Sequence, residues 1–439
     1  MSLLTKDIIL EVLYEWNDWK KETKTGIKRN SYLNQIKRKI SVGEVLIVKG
    51  VRRCGKSTIT KQFVEEKGNP KNTLVINFED TRLSNITHED LARIYEIYQS
   101  EIQPKSKPLI VLDEVQNVKN WEKFVRHFHE KGKADIIVTG SSSKLLSGEY
   151  STLLTGRHLD LTMFPLSFYE FLSFKGLIIN SKKHMLENKS KIAKLLREYL
   201  EFGGFPKPTL IKELDLSKEL LRSYYSDILH KDIEMRHSIS ESKKLDELAR
   251  YYFTNNARKM SFNKAKNIVK LSLDSVERFS SYMEDAYLLF FVPLFSYSKK
   301  VQTVNPRKVY PVDTGLRNTV CFRFSKDFGW NAESAVFLQL KRGGYEAFYY
   351  SDSKGECDLI AAKEDEKIAI QVSWELTDKK REIQGLILGM KKINANEGWL
   401  ITEDLEEDVK IDACTVHILP LWKWLLKSEL QYSRTFQKK

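Results

Sequence analysis

The first third of the chain alternates short apolar runs with longer segments that mix apolar and polar residues. Four of the runs are continuous and rich in β-branched residues, and they lie within residues 43–50, 72–80, 108–114 and 134–142. A helix is predicted between each run and the next, the first of them beginning at Lys56. Because continuous apolar strands that alternate with helices form parallel sheets covered on both faces, the pattern predicts an α/β fold.

Beyond Pro165 the pattern changes twice. It is helical to about residue 238, it then gives helices followed by a strand pair around residues 299–312, and it returns to mixed α/β over residues 330–425. The predicted parts are a helical N-terminal segment, an α/β domain with a helical lid, a helical middle domain and a C-terminal α/β domain, over residues 1–37, 38–235, 236–320 and 321–439.

Charge is distributed unevenly along the 439 residues, which carry a formal net charge of +13. Residues 236–320 hold 15 basic and 8 acidic residues, whereas residues 321–439 hold 18 and 20. The excess suggests an anionic partner for the middle of the chain, although basic residues also solvate ordinary surfaces. A hydrophobic content of 41% excludes wholesale disorder.

The sequence gives no sign of membrane insertion or secretion. The longest apolar run, residues 286–295, is about half of the ~20 residues that a membrane helix needs. The N-terminus carries acids and tryptophans, so it does not resemble a signal peptide. The four cysteines form no CxxC pair. We therefore expect a cytoplasmic protein without a membrane partner.

The first apolar run leads directly into a phosphate-binding motif. GVRRCGKS matches GxxxxGK[ST] between a predicted strand and a predicted helix, which is the context that the motif requires. Its backbone amides and the helix N-terminus would bind phosphates, Lys56 would reach the β- and γ-phosphates, and Ser57 would bind Mg²⁺. The motif consists of Gly50, Val51, Arg52, Arg53, Cys54, Gly55, Lys56 and Ser57.

Two acids end the third apolar run. Asp113 would hold Mg²⁺ through water, and Glu114 would polarise the attacking water, which favours hydrolysis over simple nucleotide binding. After the fourth run, Ser141 is a candidate sensor of the γ-phosphate, and Arg157 is a candidate arginine finger. Arg52 and Arg53 are rivals for the finger, and each of the three arginines could instead form salt bridges.

These motifs together resemble the archaeal-type AAA ATPase family of P-loop proteins. The segments that carry the resemblance are GVRRCGKST, VLDEVQNVKNWE, IIVTGSSSKLLSGEYSTLLTGR, LDLTMFPLSFYEFL, YLEFGGFPKP, YYSDILHKDIEMRHSI and KVYPVDTGLRN. The resemblance implies ATP binding by Gly50 to Thr58, magnesium at Ser57 and Asp113, and hydrolysis by Glu114. It also implies sensing by Ser141 and a finger at Arg157, from the same chain or a neighbour in a homo-oligomer.

The middle domain is predicted to be a winged helix-turn-helix. Its third helix would enter a DNA groove, and wing lysines would contact phosphates. The alternative is a protein-docking module, which many winged helices are. The candidate DNA-binding residues are Ser272, Asp274, Ser275 and Arg278 on the helix, with Lys299, Lys300, Arg307 and Lys308 on the wing.

The C-terminal domain has the layout of a restriction-endonuclease-like metal site. Glu333 lies on a predicted helix, Asp358 lies in GECDLIAA, and Gln371 follows in IAIQVS. An active site of this kind uses carboxylates and a lysine around Mg²⁺. The family pattern is close to ExD followed by ExK, but Gln371 and Ser373 replace the second acid and the lysine, and Lys367 or Lys379 would have to substitute. We therefore expect a nuclease-like fold without nuclease activity.

The sequence supports three functions in order of preference. The first is a Mg²⁺-dependent ATPase that acts on DNA through the basic winged helix. The second is a nucleotide-gated signalling or scaffold protein whose winged helix contacts protein, and the third is an ATP-regulated nuclease. The sequence leaves open the DNA structure, the oligomeric number and the cellular process.

Overall fold

The computed structural model describes residues 4–17, 19, 25–142, 154, 156–321 and 328–427. The chain divides into two compact units, Met1–Met163 and Phe164–Lys439. Most of the segment between residue 142 and Arg157, which is part of the family resemblance, lies outside the described residues. Within the described ranges, no helix combines the length and the apolar character that crossing a membrane requires.

The first unit contains one parallel sheet in the order β2-β3-β4-β1-β5. Its strands are β1 (Val45–Gly50), β2 (Thr73–Asn77), β3 (Leu109–Asp113), β4 (Asp135–Gly140) and β5 (His158–Met163). The predicted parallel sheet is confirmed. The sequence did not predict β5, because this edge strand is only partly buried and lacks a continuous apolar run.

Helices cover both faces of this sheet. They are α1 (Lys6–Trp16), α2 (Asn30–Ile40), α3 (Lys56–Lys67), α4 (His88–Ile102) and α5 (Trp121–Glu130). One core cluster joins α1, α4 and α5 to alternate strand residues such as Val45 and Ile47. The intervening Leu46 and Val48 are equally buried, and α2 and α3 pack against β1. Burial on both faces explains why the strands are apolar throughout.

The second unit begins with a long helical region. Its helices are α6 (Phe168–Phe174), α7 (Lys182–Glu187), α8 (Lys189–Phe202), α9 (Pro206–Leu210), α10 (Leu214–Asp227), a π-helical segment (Ile228–Glu234), α11 (Met235–His237), α12 (Ser242–Thr254), α13 (Phe262–Val269) and α14 (Leu273–Asp285). A three-stranded antiparallel sheet follows in the order β6-β8-β7, formed by β6 (Lys259–Met260), β7 (Leu289–Val292) and β8 (Arg307–Pro311). Between β7 and β8, the predicted strand at Lys299 is instead a short helix, α15 (Lys299–Val304).

The C-terminal part is a mixed six-stranded sheet in the order β13-β14-β12-β11-β10-β9, as the predicted α/β domain requires. Its strands are β9 (Glu346–Asp352), β10 (Gly355–Lys363), β11 (Glu366–Val372), β12 (Glu397–Thr402), β13 (Glu407–Ile411) and β14 (Cys414–Pro420). The helices of this region are α16 (Thr314–Val320), α17 (Phe328–Arg342), α18 (Lys379–Lys392) and a final helix over residues 421–427.

The helical segment after Phe164 belongs to the second unit, whereas the sequence assigned it to the ATPase domain as a lid. Buried hydrogen bonds hold it there. The backbone N–H of Gly204 donates to Asp313 Oδ2 at 2.6 Å, and Asn318 Nδ2 donates to the carbonyl oxygen of Leu200 at 3.0 Å. Asp313 also caps α16 by accepting from the N–H of Leu316 at 2.8 Å.

Replacing Asp313 should destabilise the second unit. Asp313→Ala leaves the buried N–H groups of Gly204 and Leu316 without an acceptor. An unsatisfied buried donor costs roughly 1–3 kcal/mol, so we expect the unfolding free energy to fall by about 2–4 kcal/mol. Denaturant titration followed by circular dichroism would measure this loss, with the exposed Asp404→Ala as the control. An unchanged midpoint for Asp313→Ala would contradict the assignment.

Candidate functional site

The phosphate-binding loop connects β1 to α3 and depends on two glycines. Gly50 has φ 151°, and a Cβ atom there would lie 2.1 Å from the carbonyl oxygen of Met163. Gly55, with φ 106°, precedes the first residue of α3. Residues other than glycine rarely adopt these conformations. The loop therefore brings backbone amides and the helix N-terminus to the end of β1, where an anion would be bound.

The side chain of Lys56 lies in this loop and is buried. Its Nζ donates to the carbonyl oxygens of Gly50 and Val51 at 3.1 and 3.4 Å. The same nitrogen lies 3.6 Å from Glu114 Oε1. Lys56 thus connects the loop at the end of β1 to the acid that follows β3.

Asp113 is held at the end of β3 by side chains from the two neighbouring strands. Asn77 Nδ2 on β2 donates to Oδ2 at 3.0 Å, and the hydroxyl group of Thr139 on β4 donates to Oδ1. Burial, and then the neighbouring Glu114 carboxylate, raise the pKa of Asp113 above its usual value. The nearby Ser57 hydroxyl on α3 favours the ionised form of Asp113 and so acts to lower its pKa.

Glu114 is fixed immediately after the strand. Its φ of 55° is left-handed, and its N–H donates to Thr139 Oγ1 at 3.1 Å. Gln116, in the short 3₁₀ turn Val115–Asn117, donates through Nε2 to Glu114 Oε2 at 2.6 Å. A strained backbone held by such contacts is typical of functional sites. The carboxylate is therefore oriented by Gln116 on one oxygen and by Lys56 on the other.

A magnesium ion fits the donors present at this site. The Ser57 hydroxyl and the Asp113 carboxylate lie near each other at the end of the sheet. Both are hard oxygen ligands of the kind that Mg²⁺ takes alongside water and substrate phosphates. Asn77 and Thr139 hold the carboxylate in place, as the supporting residues of a metal ligand do.

Sequence reasoning missed three residues of this site. Asn77 and Thr139 were detectable as polar residues near the ends of apolar strands, but assigning them to Asp113 required the strand order. Arg29 gave no such signal. It is buried, its Nη1 donates to the carbonyl oxygen of Cys54 at 2.9 Å, and its guanidinium lies 4.5 Å from the Tyr32 ring centroid.

The predicted sensor and the rival arginines have the following surroundings. Ser141 is completely buried after β4, and its role as a sensor stays a prediction. Arg52 forms an ion pair with Glu79 at 2.6 Å, and Arg53 adopts a left-handed conformation with φ 68°. The ion pair gives Arg52 a structural role within the loop.

Arg157 lies at the end of the sheet opposite to the phosphate-binding loop. It immediately precedes β5, and its carbonyl oxygen accepts from the N–H of Val45 at the start of β1. The loop begins where β1 ends, so five residue steps, about 16 Å, separate the two positions along the strand. The Arg157 side chain pairs with Glu130 at the end of α5. The role of Arg157 as an arginine finger, for its own chain or for a neighbour, stays a prediction.

The C-terminal sheet brings the predicted nuclease-like residues together around a cleft of about 910 Å³. Glu333 on α17 and Asp358 on β10 both contact Lys308 Nζ. Gln371 on β11 accepts from the N–H of Asp358 at 3.1 Å and donates to Glu382 Oε2 at 2.8 Å. Burial, followed by the Asp358 carboxylate, raises the pKa of Glu333 to about 8.

Neither lysine that could have replaced the missing catalytic lysine enters this cleft. Lys379 pairs with Glu407, and Lys367 lies over the ring of Tyr297 at 5.5 Å. The lysine that does enter is Lys308, which the sequence assigned to DNA phosphates. That assignment is wrong, because Lys308 is only 2% exposed and is surrounded by carboxylates.

The other DNA-binding candidates divide into buried and exposed groups. Ser272 caps α14 by accepting from the N–H of Ser275 at 3.0 Å, and Ser275 itself is buried. Ser275 is therefore not available to a groove. Asp274 and Arg278 are exposed but pair with each other at 3.2 Å. The remaining candidates lie at or near the surface: Lys299 and Lys300 are exposed on α15, and Arg307 lies over the Phe262 ring at 5.1 Å.

Comparison with known proteins identifies the class to which the chain belongs. An AAA domain matches residues 42–172, and a domain of unknown function, DUF8612, matches residues 193–327. An uncharacterized protein of Methanocaldococcus jannaschii, MJ1544, is 35% identical and is aligned over 97% of both chains. An uncharacterized protein of Haemophilus influenzae is 28% identical over 92% of this chain and all of its own length. The chain therefore belongs to the archaeal-type AAA ATPase family.

Solved structures with weaker similarity include two archaeal proteins. The Walker-type ATPase PABY2304 of Pyrococcus abyssi aligns with a TM-score of 0.41 and 14% identity, over 68% of this chain and 97% of that one. Cdc6p from Pyrobaculum aerophilum aligns with a TM-score of 0.30 and 12% identity, over 69% and 95%.

Proposed function

We propose that the first unit hydrolyses ATP in a Mg²⁺-dependent reaction. The observation that carries the proposal is the convergence of Lys56, Ser57, Asp113 and Glu114 at one end of the sheet. When bound by Ser57 and Asp113, Mg²⁺ would neutralise phosphate charge. The loop amides and Lys56 would bind the phosphates, and Glu114 would orient the attacking water.

The Lys56 contacts describe how nucleotide would prepare this site. Lys56 Nζ donates to the Gly50 carbonyl oxygen and lies beside Glu114 Oε1. Phosphate oxygens are stronger acceptors for an ammonium group than a neutral carbonyl. Arrival of the phosphates would therefore draw Lys56 away from Glu114. Gln116 would still donate to Glu114 Oε2, and Oε1 could accept a hydrogen bond from water.

Arg157 would act on a neighbouring subunit. Its position at the start of β5, at the end of the sheet opposite to Gly50, supports action on the ATP of another copy in place of that of its own chain. Exposure of about 41% of its side chain would allow it to reach another copy after leaving Glu130. A guanidinium supplied in trans can neutralise charge during phosphoryl transfer. The active form would then be a homo-oligomer.

The middle of the second unit would bind DNA as a winged helix. The order α12, β6, α13, α14, β7, β8 and the sheet order β6-β8-β7 support a winged-helix arrangement. The exposed residues of α14 include Asp274 and Glu277, which would repel phosphates. Exposed lysines lie instead on α13 and α15: Lys264 and Lys270 on or directly after the first, Lys299 and Lys300 on the second. The DNA contact would therefore use α13 and the wing.

The test is ATP turnover and DNA affinity measured together across a salt series. Duplex or single-stranded DNA should raise the turnover rate, and binding should weaken as salt increases. Lys264→Glu should lower the salt slope by about 1 and reduce affinity uniformly across sequences, because it removes a phosphate contact. Lys410→Glu, at an exposed position of β13, is the matched control. Unstimulated turnover with no salt-dependent binding would exclude the DNA role.

A second candidate is a nucleotide-gated scaffold that binds protein. The observation that favours it is the apolar surface of the wing, where Tyr297 and Val304 are 73% and 72% exposed. Exposed apolar side chains grouped on one segment mark protein contacts more often than nucleic-acid contacts. A nucleotide-dependent change of oligomeric mass without any DNA affinity would favour this function.

The C-terminal domain would have a restriction-endonuclease-like fold without nuclease activity. Ser373 stands where the pattern requires a catalytic lysine. The Gln371 side-chain oxygen, which could have served as a metal ligand, already accepts from the backbone N–H of Asp358. Both departures support a domain that serves a purpose other than DNA cleavage.

A further inference from the structure

The floor of the C-terminal cleft contains a buried ammonium group surrounded by three carboxylates. Lys308 Nζ lies 3.0 Å from Glu333 Oε1, 2.9 Å from Glu356 Oε1 and 2.9 Å from Asp358 Oδ1. The Lys308 side chain is only 3% exposed. It enters from β8, whereas the acids come from α17 and β10. One cation therefore joins three separate elements of the second unit.

The three distances are those of charge-assisted hydrogen bonds, because ammonium and carboxylate groups approach to about 2.7–2.9 Å. A lysine has three N–H donors, and three carboxylates meet them. Across the residues described, no group of three or more His, Cys, Asp or Glu side chains is arranged to hold a metal ion.

Two of the remaining oxygens of these acids also have protein partners. Asp358 Oδ2 accepts from the N–H of Val372 at 3.0 Å, and Glu356 Oε2 pairs with Lys259 at 2.8 Å. On Glu333, the Tyr310 hydroxyl donates at 2.6 Å to Oε1, the same oxygen that Lys308 contacts. The protein itself thus supplies partners to five of the six oxygens that a metal would have to recruit, and such partners stabilise buried carboxylates.

Lys308 remains charged in this environment. Burial alone would lower the pKa of its ammonium group, but the Asp358 and Glu333 carboxylates outweigh burial and raise the pKa well above its usual value. Lys308 and Lys259 contribute two positive charges against the three acids. Without an added ion, these two ammonium groups offset all but one of the negative charges that the three acids carry when ionised.

We propose that Lys308 is the resident cation of this carboxylate cluster, standing in place of the metal ion that the nuclease-like layout of acids predicts. The cleft binds no divalent cation while the Lys308 side chain is present. The ammonium group instead connects β8 to α17 and β10 through ion pairs. These ion pairs link the three-stranded sheet to the C-terminal sheet.

Manganese binding to the full chain without nucleotide tests this assignment. Free Mn²⁺ is measured by electron paramagnetic resonance in the wild type, Lys308→Ala and Lys308→Met. Lys308→Ala vacates the space between the carboxylates and should bind one further Mn²⁺ at least tenfold more tightly than the wild type. Lys308→Met removes the same charge but keeps the space filled, so it should bind no further Mn²⁺.

Adding Asp358→Asn to Lys308→Ala should abolish the gained Mn²⁺ site. Any Mn²⁺ bound near Asp113 should contribute equally in every variant, because every substitution lies in the second unit, whereas Asp113 lies in the first. No gain in Lys308→Ala would overturn the proposal. If Lys308→Ala does not fold, Mn²⁺ binding is compared between the wild type and Asp358→Asn. Equal Mn²⁺ binding by these two supports a resident lysine, whereas Mn²⁺ binding by the wild type that Asp358→Asn removes shows a true metal site.

Discussion

Glu114→Gln should leave ATP bound while lowering its hydrolysis by about 10²–10⁴-fold, the range that loss of a positioned base produces. The substitution keeps the shape of the side chain but removes the carboxylate charge. Lys56, now without its partner at 3.6 Å, stays available to phosphate, so affinity should be equal or higher. Filter binding of labelled ATP and phosphate release, measured on the same sample, separate these two effects.

Two controls make this result specific. Glu96→Gln, at an exposed position of α4, should leave both measurements unchanged. Ser57→Ala should weaken nucleotide binding in magnesium, because it removes the hydroxyl group that would bind the ion beside Asp113. Hydrolysis by Glu114→Gln within a few-fold of the wild type would exclude Glu114 as the residue that orients water.

Arg157→Ala should lower ATP turnover by about 10³-fold or more, the contribution typical of an arginine finger, without affecting ATP binding. Because Arg157 lies at the end of the sheet opposite to Gly50, we expect the loss of turnover to arise at the nucleotide site of a neighbouring subunit. Mixing Arg157→Ala with Glu114→Gln should therefore restore turnover. In such a mixture, the first variant supplies an intact Glu114 and the second supplies an intact Arg157.

The matched control for mixing is the double variant Arg157→Ala/Glu114→Gln. Added to Arg157→Ala, it brings no intact arginine and should restore nothing. Loss of turnover in Arg157→Ala that the Glu114→Gln protein does not rescue would contradict action in trans. Unchanged turnover in Arg157→Ala would leave only the Arg157–Glu130 ion pair as its role.

The main residues of the proposed nucleotide site could be predicted from the sequence because they lie in short continuous segments. Gly50 to Ser57 form one continuous segment, and Asp113 and Glu114 directly follow a strand that is apolar throughout. The supporting residues could not be predicted in the same way. Thr139 reaches Asp113 only because β3 and β4 are neighbours, and that order is a property of the folded sheet.

Lys308 shows why the second unit was harder to predict. Its position beside Arg307 in a basic block suggested a surface that contacts phosphate. The structure contradicts that interpretation. Side chains alternate between the two faces of β8, and Lys308 lies on the face where its Nζ contacts Glu333, Glu356 and Asp358. The sequence separation between Lys308 and Asp358 is 50 residues, and no local pattern records such a contact.

The hydrogen bonds that anchor the helical segment after Phe164 also determine when it can fold. The backbone N–H of Gly204 donates to Asp313, which is 109 residues later in the chain. The carbonyl oxygen of Leu166 accepts a hydrogen bond from Arg342, which is 176 residues later. The first compact unit ends at Met163. Because domains fold as units and early ones fold first during synthesis, the nucleotide-binding unit is complete while the ribosome is still producing the partners of α6 to α8. The apolar surfaces of those helices that pack against the later partners therefore stay exposed while the 109 residues that follow Gly204, up to and including Asp313, are translated.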